Sequence, residues 1–333
     1  MKKQYTVAVV GATGMVGRKM LQVLGERDLP IQEIVPFASA RSAGEEITFA
    51  GKQYTVTELT EQNVRARKID YALFSAGGSV SKQFAPLFAQ CGAVVIDNSS
   101  QWRMDPDVPL VVPEVNPQDI AKHHGIIANP NCSTIQAVVA LAPLHRAFGI
   151  KRIVYSTYQA VSGAGVGGYN DLQNGIAGQA PKKFPLPIFG NVLPHIDVFL
   201  PNGYTKEEEK MIQETRKILG DASLRITATT VRVPVYYGHS ESINVEFNTP
   251  VTAAQVRETL AAAKGVVVTD DPANGIYPTP RETADRDEVF VGRIRQDESV
   301  ESGVNLWVVA DNIRKGAATN AVQILQTILS NNI

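Results

Sequence analysis

One of the two cysteines in this chain, Cys132, lies where a loop is predicted to become a helix. Pro130 biases Asn129 toward an extended conformation, and Asn131 can cap the helix that follows. The apolar stripe predicted for that helix consists of Ile135, Val138, Val139 and Ala142. Free N–H groups and the positive end of the dipole at a helix N-terminus favour the thiolate form of a cysteine. The placement indicates a nucleophilic thiol, with a buried structural cysteine as the alternative.

A second candidate site is a glycine turn near the start of the chain. A strand-like run at residues 7–10 leads into the pattern G-x-x-G-x-x-G at residues 11–17, and a helical pattern follows. Such a turn lets backbone N–H groups reach a pyrophosphate at the helix N-terminus, so it predicts a dinucleotide site. The expected cofactor contacts are Gly11, Thr13, Gly14, Met15 and Val16. Because the spacing departs from the strict G-x-G-x-x-G, a tight turn that binds nothing is the alternative.

The end of the second predicted strand, residues 33–38, indicates which nicotinamide cofactor is used. An acidic residue there would hydrogen-bond the adenosine ribose of NAD, but the chain has none. It offers instead the hydroxyls of Ser39 and Ser42 and the guanidinium of Arg41, which suit a 2′-phosphate. We therefore predict a preference for NADP(H), with a solvated Arg41 as the alternative.

Further strand-like runs at residues 71–76 and 93–97 flank a helical pattern near 80–91. This alternation predicts a parallel sheet covered on both faces, of the doubly wound Rossmann type. Ligands bind at the carboxyl ends of such strands, so the loops after residues 76 and 97 should face the cofactor. Arg103, just beyond, is either an anion ligand or an exposed charge.

After Cys132 the predicted strands are longer and more alternating, at residues 153–158, 224–229, 243–247 and 304–309. They favour a mixed or antiparallel sheet with one covered face. The Gly- and Pro-rich stretch 162–201 is expected to be a structured excursion. The segment 317–329 is predicted to be an amphipathic helix that packs back onto the first domain.

Length and composition agree with an ordinary two-domain globular chain. The 333 residues are 44% hydrophobic and carry a net charge of −1, so nothing points to nucleic acid or a membrane surface as partner. We find neither a signal peptide nor a transmembrane span. Cys91 and Cys132 do not form a metal-ligand spacing, so we expect no metal. Two thiols without an export signal suggest the reducing cytoplasm.

These features together resemble the aspartate-β-semialdehyde dehydrogenase family, from Gly11 to the run at residues 311–316. The motifs that carry the resemblance are Gly11-Ala12-Thr13-Gly14, Asp97-Asn98-Ser99-Ser100, Asn129-Pro130-Asn131-Cys132-Ser133-Thr134, Gln159-Ala160-Val161-Ser162-Gly163-Ala164-Gly165, and Arg232-Val233-Pro234-Val235 through Gly238-His239-Ser240. The resemblance implies an NADP-binding domain of residues 1–131 plus about 313–333. It also implies an α+β catalytic and dimerisation domain of residues 132–312, and a homodimer.

The reaction implied is the NADPH-dependent reduction of β-aspartyl phosphate to aspartate semialdehyde and inorganic phosphate, in the aspartate-derived amino-acid pathway. By resemblance, Cys132 is the nucleophile that forms a thioester and His239 is the general acid/base. Thiolate and imidazole chemistry agree with these roles. Gln159 would orient the acyl group, and Arg232 would bind the substrate α-carboxylate.

The remaining roles come from the resemblance too. Asn131, Arg103 and Lys210 are expected at the substrate and phosphate, and Glu207 at the substrate ammonium, with Glu208 or Glu209 as alternatives to Glu207. A surface ion pair is the other interpretation of Glu207 and Lys210. The residues expected near the nicotinamide are Ser162, Gly163 and Asn312.

Two other functions stay open at this point. One is a related acyl-phosphate reductase, such as the N-acetylglutamyl-phosphate or glyceraldehyde-phosphate enzymes, although their cysteine motifs look different. The other is a catalytically silent relative that binds NADP as a sensor or assembly partner. The joint presence of Cys132, Gln159, Arg232 and His239 argues against the second.

Overall fold

The computed structural model describes residues 4–331 and divides the chain into two units. The first consists of Met1–Pro130 and Ala317–Ile333, and the second of Asn131–Gly316. The boundaries expected from the sequence, after residues 131 and 312, differ from these by a few residues. Asn131 belongs with the second unit, where its side chain bonds to Glu207, Ser133 and Thr134.

The first unit contains a six-stranded sheet in which every strand pair is parallel. Its strands are β1 (Tyr5–Val10), β2 (Ile31–Ala38), β5 (Thr57–Glu58), β6 (Tyr71–Phe74), β7 (Val94–Asp97) and β8 (Ile126–Ala128). A hairpin of β3 (Glu46–Phe49) and β4 (Lys52–Thr55) forms a separate two-stranded sheet. The first three helices are α1 (Met15–Glu26), α2 (Glu61–Arg65) and α3 (Gly78–Gln90). The spatial order β5-β2-β1-β6-β7-β8 is that of a doubly wound dinucleotide-binding sheet.

Both faces of this sheet are buried, as the sequence predicts. Val7 and Val9 of β1 point into a core shared with α1, whereas Ala8 and Val10 point into a core shared with α3. Alternate residues of a strand face opposite sides, so a fully apolar β1 requires cover on both.

The second unit contains a six-stranded mixed sheet in the order β10-β9-β11-β14-β13-β12. Its strands are β9 (Ile150–Gln159), β10 (Arg225–Arg232), β11 (His239–Phe247), β12 (Val266–Val268), β13 (Val289–Gln296) and β14 (Gly303–Ala310). The helices of the unit are α4 (Cys132–Phe148), α5 (Gly165–Ile176), α6 (Lys206–Leu219), α7 (Ala253–Ala261) and α8 (Pro280–Thr283). Only the outer pairs, β10 with β9 and β12 with β13, are parallel.

One face of the mixed sheet is covered by helices. Along β9, Tyr155, Thr157 and Gln159 are buried, whereas Tyr158 is 40% exposed. Helices α4, α6 and α7 pack against this sheet, with α4 contacting four of its strands. The expected apolar stripe of α4 is too narrow, because every residue from Ser133 to Ala142 is buried. This helix is a central one.

The C-terminal segment returns to the first unit. It begins as a π-helical stretch, Arg314–Thr319, and continues as α9 (Asn320–Asn331), so the regular helix starts three residues later than expected. Ile324, Leu325 and Ile328 share a buried cluster with residues of β1 and α1. Among residues 4–331, no helix is long and apolar enough to cross a membrane.

Candidate active site

The thiol of Cys132 lies on the first residue of α4, directly after a capped turn. The side-chain oxygen of Asn131 accepts hydrogen bonds from the backbone N–H groups of Ser133 (3.0 Å) and Thr134 (3.3 Å). The Asn131 N–H donates to the Glu214 carboxylate at 2.7 Å, which fixes the turn itself. Cys132 is half-buried, so its sulfur keeps the electrostatic advantage of a helix N-terminus without being sealed in the core.

The imidazole of His239 lies close to that sulfur. Its Nε2 lies 3.2 Å from the Cys132 Sγ, although 107 residues separate the two along the chain. The Ala160 backbone N–H donates to His239 Nδ1 at 3.0 Å. Since Nδ1 must supply a lone pair for this bond, the neutral ring carries its proton on Nε2, which faces the sulfur.

The environment of His239 favours the uncharged ring. Its side chain is completely buried, and this burial, followed by the positive charge of Arg232, holds the pKa of His239 well below its ordinary value. In an imidazolium, Nδ1 would also carry a proton, so two N–H donors, Nδ1–H and the Ala160 N–H, would face each other. The pair at rest is therefore a neutral imidazole that donates a hydrogen bond to sulfur.

Backbone geometry explains how His239 reaches this position. It is the first residue of β11 and follows Gly238, whose φ is +86°. A side chain at Gly238 would lie 3.0 Å from Pro280, so the turn needs glycine on two counts. The Gly238 N–H donates to Asn312 Oδ1 at 2.9 Å, and the Asn312 amide also bonds to the Ser162 hydroxyl at 3.0 Å. Asn312 and Ser162 thus brace the histidine turn.

Gln159 and Arg232 lie side by side, since they are paired in register at the ends of β9 and β10. The Gln159 amide nitrogen donates to Ser133 Oγ at 2.8 Å, which places it against the first turn of α4. The Arg232 Nη1 donates to the Ala160 carbonyl at 2.8 Å, and its guanidinium lies over the Phe184 ring at 5.9 Å.

Arg232 is a buried cation without a carboxylate partner. It is only 5% exposed, and no ion pair joins it to any carboxylate in the described chain, residues 4–331. Burial lowers its pKa, while Glu207 and Cys132 act in the opposite direction, and a guanidinium stays charged at physiological pH. A buried charge left unpaired is costly, so this position is prepared for an anion.

Glu207 faces the same turn from α6. Its carboxylate accepts from Asn131 Nδ2 at 2.9 Å, from Lys210 Nζ at 3.0 Å and from Gln159 Nε2 at 3.4 Å. Burial raises its pKa, but the Lys210 charge and the Asn131 hydrogen bond outweigh burial and hold the pKa below its ordinary value. Glu207 is therefore an ionised, buried carboxylate.

The other two glutamates of this run have different environments. Glu208 closes a capping box with Thr205, and its carboxylate also accepts from the Thr230 N–H at 3.0 Å. Glu209 bonds to Asn202 at 2.8 Å and Gln213 at 3.3 Å. Of these three glutamates, Glu207 is the one whose carboxylate bonds to the turn that carries Cys132. The interpretation of Glu207 and Lys210 as a surface pair is wrong, because both side chains are largely buried.

Three contributors to the site escape the sequence analysis. Asp197 accepts a hydrogen bond from Lys210 Nζ at 2.8 Å, Glu214 holds the Asn131 N–H, and the Ala160 N–H orients His239. Glu214 lies two helical turns after Glu207, so helical periodicity could have found it. A loop aspartate and a backbone N–H give no comparable signal.

In the first unit, the glycine turn joins β1 to α1. Gly11 has φ +84°, and a methyl group on Gly17 would lie 2.1 Å from the Gly11 carbonyl oxygen. Helix α1 begins at Met15, followed by Val16, and its N-cap Gly14 provides no side-chain cap. The N-cap side chain therefore does not occupy the first N–H groups of the helix, which suits an anion site.

The end of β2 lies beside this turn. Thr13 Oγ1 is 3.5 Å from Ser42 Oγ, while Ser39 and Arg41 are exposed on the same short loop. The structure thus brings the expected cofactor residues of the first unit to one edge of the parallel sheet, at the carboxyl ends of its first two strands.

Arg103 is not the exposed charge that the sequence left open. It is only 7% exposed, and it donates to the Asn129 carbonyl at 3.0 Å and the Asn98 carbonyl at 2.9 Å. Its role at phosphate stays a prediction. Within the described residues, no group of three His, Cys, Asp or Glu side chains is arranged to hold a metal ion.

Both parts of the chain match models of known protein families. A family model described as "Semialdehyde dehydrogenase, NAD binding domain" matches residues 6–123, and "Semialdehyde dehydrogenase, dimerisation domain" matches residues 141–315. The aspartate-semialdehyde dehydrogenase of Aquifex aeolicus (strain VF5) is 59% identical over 334 residues, covering 98% of each chain.

Solved structures extend the comparison. Aspartate semialdehyde dehydrogenase II complexed with ASA from Vibrio cholerae is similar at a TM-score of 0.95 and 47% identity, covering 99% of this chain and 100% of that chain. Aspartate semialdehyde dehydrogenase with NADP from Candida albicans is similar at a TM-score of 0.80 and 26% identity, covering 99% of both chains.

The fold and the matched domains define a semialdehyde dehydrogenase, an oxidoreductase with a nucleotide-binding domain and a dimerisation domain. More narrowly, the chain belongs to the aspartate-semialdehyde dehydrogenase family. The resemblance inferred from the sequence motifs is confirmed, and neither the related reductases nor a silent relative is favoured.

Proposed function

We propose that this enzyme reduces β-aspartyl phosphate with NADPH to L-aspartate 4-semialdehyde and inorganic phosphate, through a thioester on Cys132. The observation that carries the proposal is the Cys132–His239 contact of 3.2 Å beside the buried Arg232 guanidinium, which has no carboxylate partner within residues 4–331. A nucleophile beside a buried cation suits a small acyl substrate that carries a carboxylate.

The residues of the first unit fit a dinucleotide. A side chain at Gly11 would lie 2.7 Å from the Ser75 carbonyl oxygen, and one at Gly17 would clash with the Gly11 carbonyl oxygen. Because both positions are glycine, no side chain covers the backbone of the turn there. Gly11, Thr13, Gly14, Met15 and Val16 would hold the pyrophosphate at the start of α1. When bound, the cofactor supplies the hydride that reduces the acyl carbon.

Two features support NADP over NAD. The exposed Arg41, between the hydroxyls of Ser39 and Ser42, offers charge-assisted hydrogen bonds to a 2′-phosphate, and no acid ends β2 to repel it. The Candida albicans relative was solved with NADP. Ser162, Gly163 and Asn312 are proposed to lie toward the nicotinamide.

Substrate orientation follows from the charges around Cys132. The planar guanidinium of Arg232 suits bidentate binding of the α-carboxylate, and the ionised Glu207 suits the α-ammonium. Gln159 orients the acyl group beside them, and Asn131 holds Glu207 in place. The Vibrio cholerae relative was solved with ASA, which agrees with a substrate of this size.

The covalent step is balanced by the departing phosphate. The Cys132 sulfur attacks the acyl carbon, a C–S bond forms, and the C–O bond to phosphate breaks so that phosphate leaves with the electron pair. Lys210 and Arg103 are proposed to bind the phosphate. After reduction of the carbon, the C–S bond breaks and the sulfur leaves as the thiolate.

His239 contributes the Nε2 proton. In the resting site this proton faces the sulfur and stabilises a thiolate, and it can donate a hydrogen bond to the oxygen of the thiohemiacetal. For the general acid/base role proposed for His239, a second proton must stand on Nδ1 in place of the Ala160 bond, so that Nε2 can give its proton to that oxygen and take it back. We also propose a homodimer in the cytoplasm, supported by the match to a dimerisation domain.

The test is phosphate-dependent reduction of NADP⁺ by the purified protein with aspartate semialdehyde, run in parallel with NAD⁺. We expect activity that requires phosphate and favours NADP⁺, and that is lost in Cys132→Ala together with the covalent adduct seen by mass spectrometry. Cys91→Ser is the matched control, because that thiol is exposed and lies elsewhere in the fold. A wild-type protein that is inactive under reducing conditions, or a fully active Cys132→Ala variant, would overturn the proposal.

A further inference from the structure

Lys210 is shared between two carboxylates. Its Nζ lies 2.8 Å from Asp197 Oδ2 and 3.0 Å from Glu207 Oε2. The Lys210 side chain is 18% exposed and that of Asp197 33%, so these contacts are partly shielded from water. The Asp197 contact cannot be read from the chain, because this residue lies 13 positions before Lys210 in a loop.

The backbone at Asp197 is held in an unfavourable conformation. Its φ is +69°, one of four positive values at non-glycine residues within the described part of the chain. Aspartate and asparagine tolerate this region better than other side chains, yet strain at such positions persists only where surrounding contacts enforce it.

Several contacts fix the loop around Asp197. Leu193 and Arg232 exchange two backbone hydrogen bonds, of 2.9 and 2.8 Å, which tie the loop to β10. The Val198 carbonyl accepts from the Lys206 N–H at 2.8 Å, which ties it to the start of α6. Asp197 Oδ1 accepts from the Val198 N–H at 2.9 Å, leaving Oδ2 for Lys210.

The three charges are mutually adjusted. Burial raises the pKa of Asp197, but the hydrogen bond and charge of Lys210 outweigh it and lower that pKa overall. Burial lowers the pKa of Lys210, but Glu207 and Asp197 outweigh it and raise that pKa overall. All three groups are therefore ionised near neutral pH, and together they carry one net negative charge.

We propose that Asp197 is a positioning residue that gives Lys210 a counter-ion of its own and so leaves the Glu207 carboxylate available to the substrate ammonium. This inference rests on the proposed function, in which Glu207 binds the ammonium and Lys210 the phosphate. Without Asp197, Lys210 would pair with Glu207 alone and neutralise it. The Lys210 ammonium would also bind phosphate more readily, because the Asp197 carboxylate would no longer compete with phosphate for it.

Asp197→Asn removes the charge with little other change. Asparagine tolerates the same φ, and its side-chain oxygen can still accept from the Val198 N–H. The matched control is Glu209→Gln, which removes one charge from the same helix as Lys210 but contacts Asn202 and Gln213 instead.

The assay is steady-state kinetics of phosphate-dependent NADP⁺ reduction, with aspartate semialdehyde and phosphate varied in turn. For Asp197→Asn we expect the KM for aspartate semialdehyde to rise about 5- to 30-fold, as for a weakened charge pair, while the KM for phosphate stays the same or falls. The kcat should change by less than about threefold. Glu209→Gln should leave both KM values unchanged.

A variant that is damaged throughout its fold would give a different pattern of KM and kcat values. If both KM values rise together, if only kcat falls, or if Asp197→Asn behaves like the wild type, the proposal for Asp197 is wrong. Asp197→Gly, which accepts the same φ, serves if the Asn variant does not fold, and it too should raise the KM for aspartate semialdehyde without raising the KM for phosphate. A wild-type enzyme without phosphate-dependent activity would instead refute the proposed function itself.

Discussion

Gly163 offers a sharp steric test of the active-site geometry. A methyl group at this position would lie 2.8 Å from Arg232 Nη1, and 3.2 and 3.3 Å from Cε1 and Nε2 of His239. To restore an ordinary contact of 3.4 Å, the guanidinium nitrogen must retreat by about 0.6 Å. The substitution Gly163→Ala therefore pushes on the proposed carboxylate ligand and on the imidazole at once.

The expected size of the effect on kcat/KM follows from the hydrogen bond that this shift would weaken. Arg232 Nη1 donates to the Ala160 carbonyl at 2.8 Å, and a shift of this size stretches the bond beyond the usual range of about 2.7–3.2 Å. A hydrogen bond to a charged group contributes about 1.5–3 kcal/mol, which corresponds to roughly 10- to 150-fold in an equilibrium constant. We expect kcat/KM for aspartate semialdehyde to fall by about that factor.

The assay pairs this kinetic measurement with thermal unfolding and with the rate of Cys132 alkylation by iodoacetamide. The alkylation needs no cofactor, so it separates a displaced His239 from a blocked nicotinamide. Gly167→Ala is the matched control, since its methyl group would meet Lys183 at an ordinary 3.4 Å. If Gly163→Ala keeps kcat/KM within twofold of the wild type while Gly167→Ala does the same, Arg232 and His239 do not act from the positions described here.

Three further predictions concern charge and protonation. Arg41→Ala should reduce kcat/KM for NADPH by about 10-fold or more without affecting NADH, since one charge-assisted bond to the 2′-phosphate is lost; an unchanged cofactor ratio would show that Arg41 is only a solvated charge. His239→Asn should slow turnover by roughly 10²–10⁴-fold, measured by stopped-flow single turnover, and near-normal rates would remove His239 from the chemistry. Glu241 is fully buried, and its carboxylate has no hydrogen-bond partner among residues 4–331. Burial raises its pKa well above the ordinary value, so Glu241 favours folding at low pH and costs stability as pH rises above about 4.5. Thermal and urea unfolding should show that Glu241→Gln is more stable than the wild type, by a margin that grows with pH by up to about 1.4 kcal/mol per pH unit. The control Glu246→Gln, on the same strand, should show no such gain. A gain in stability that does not depend on pH would contradict the burial of an ionisable Glu241.

The sequence predicts the parts of the structure that depend on local pattern. A parallel sheet covered on both faces follows from fully apolar strands separated by helices, and the capped start of α4 follows from Asn131 placed before an apolar run. The glycine turn is equally local, because a side chain at Gly17 would collide with the turn itself. Such features need only neighbouring residues to be recognised.

Long-range features were harder to predict. The ambiguity among three consecutive glutamates could have been reduced from the sequence, because Thr205 and Glu208 have the T-x-x-E spacing of a capping box, which occupies Glu208. The contact of Asp197 with Lys210 depends on a loop anchored to β10 through backbone bonds, which side-chain patterns do not encode. The breadth of burial around α4 was likewise missed, since it reflects the number of elements that pack on this helix.

The bond between the Ala160 N–H and His239 Nδ1 constrains the chemistry more than any single side chain does. A donor at Nδ1 leaves the ring neutral with one proton on Nε2, 3.2 Å from the Cys132 sulfur. Once the acyl carbon has been reduced, its oxygen carries negative charge, and expulsion of the thiolate consumes no proton. One Nε2–H can therefore stabilise first the oxygen and then the sulfur by hydrogen-bond donation alone. The oxidative direction passes through the same oxyanion, formed when the thiolate adds to the aldehyde, so the same Nε2–H serves it as well. Full proton transfer at Nε2 would need a second proton at Nδ1, at the expense of the Ala160 bond, and burial and Arg232 both oppose that doubly protonated ring. The site is therefore arranged for hydrogen-bond donation by a neutral imidazole more than for full proton transfer, in both directions.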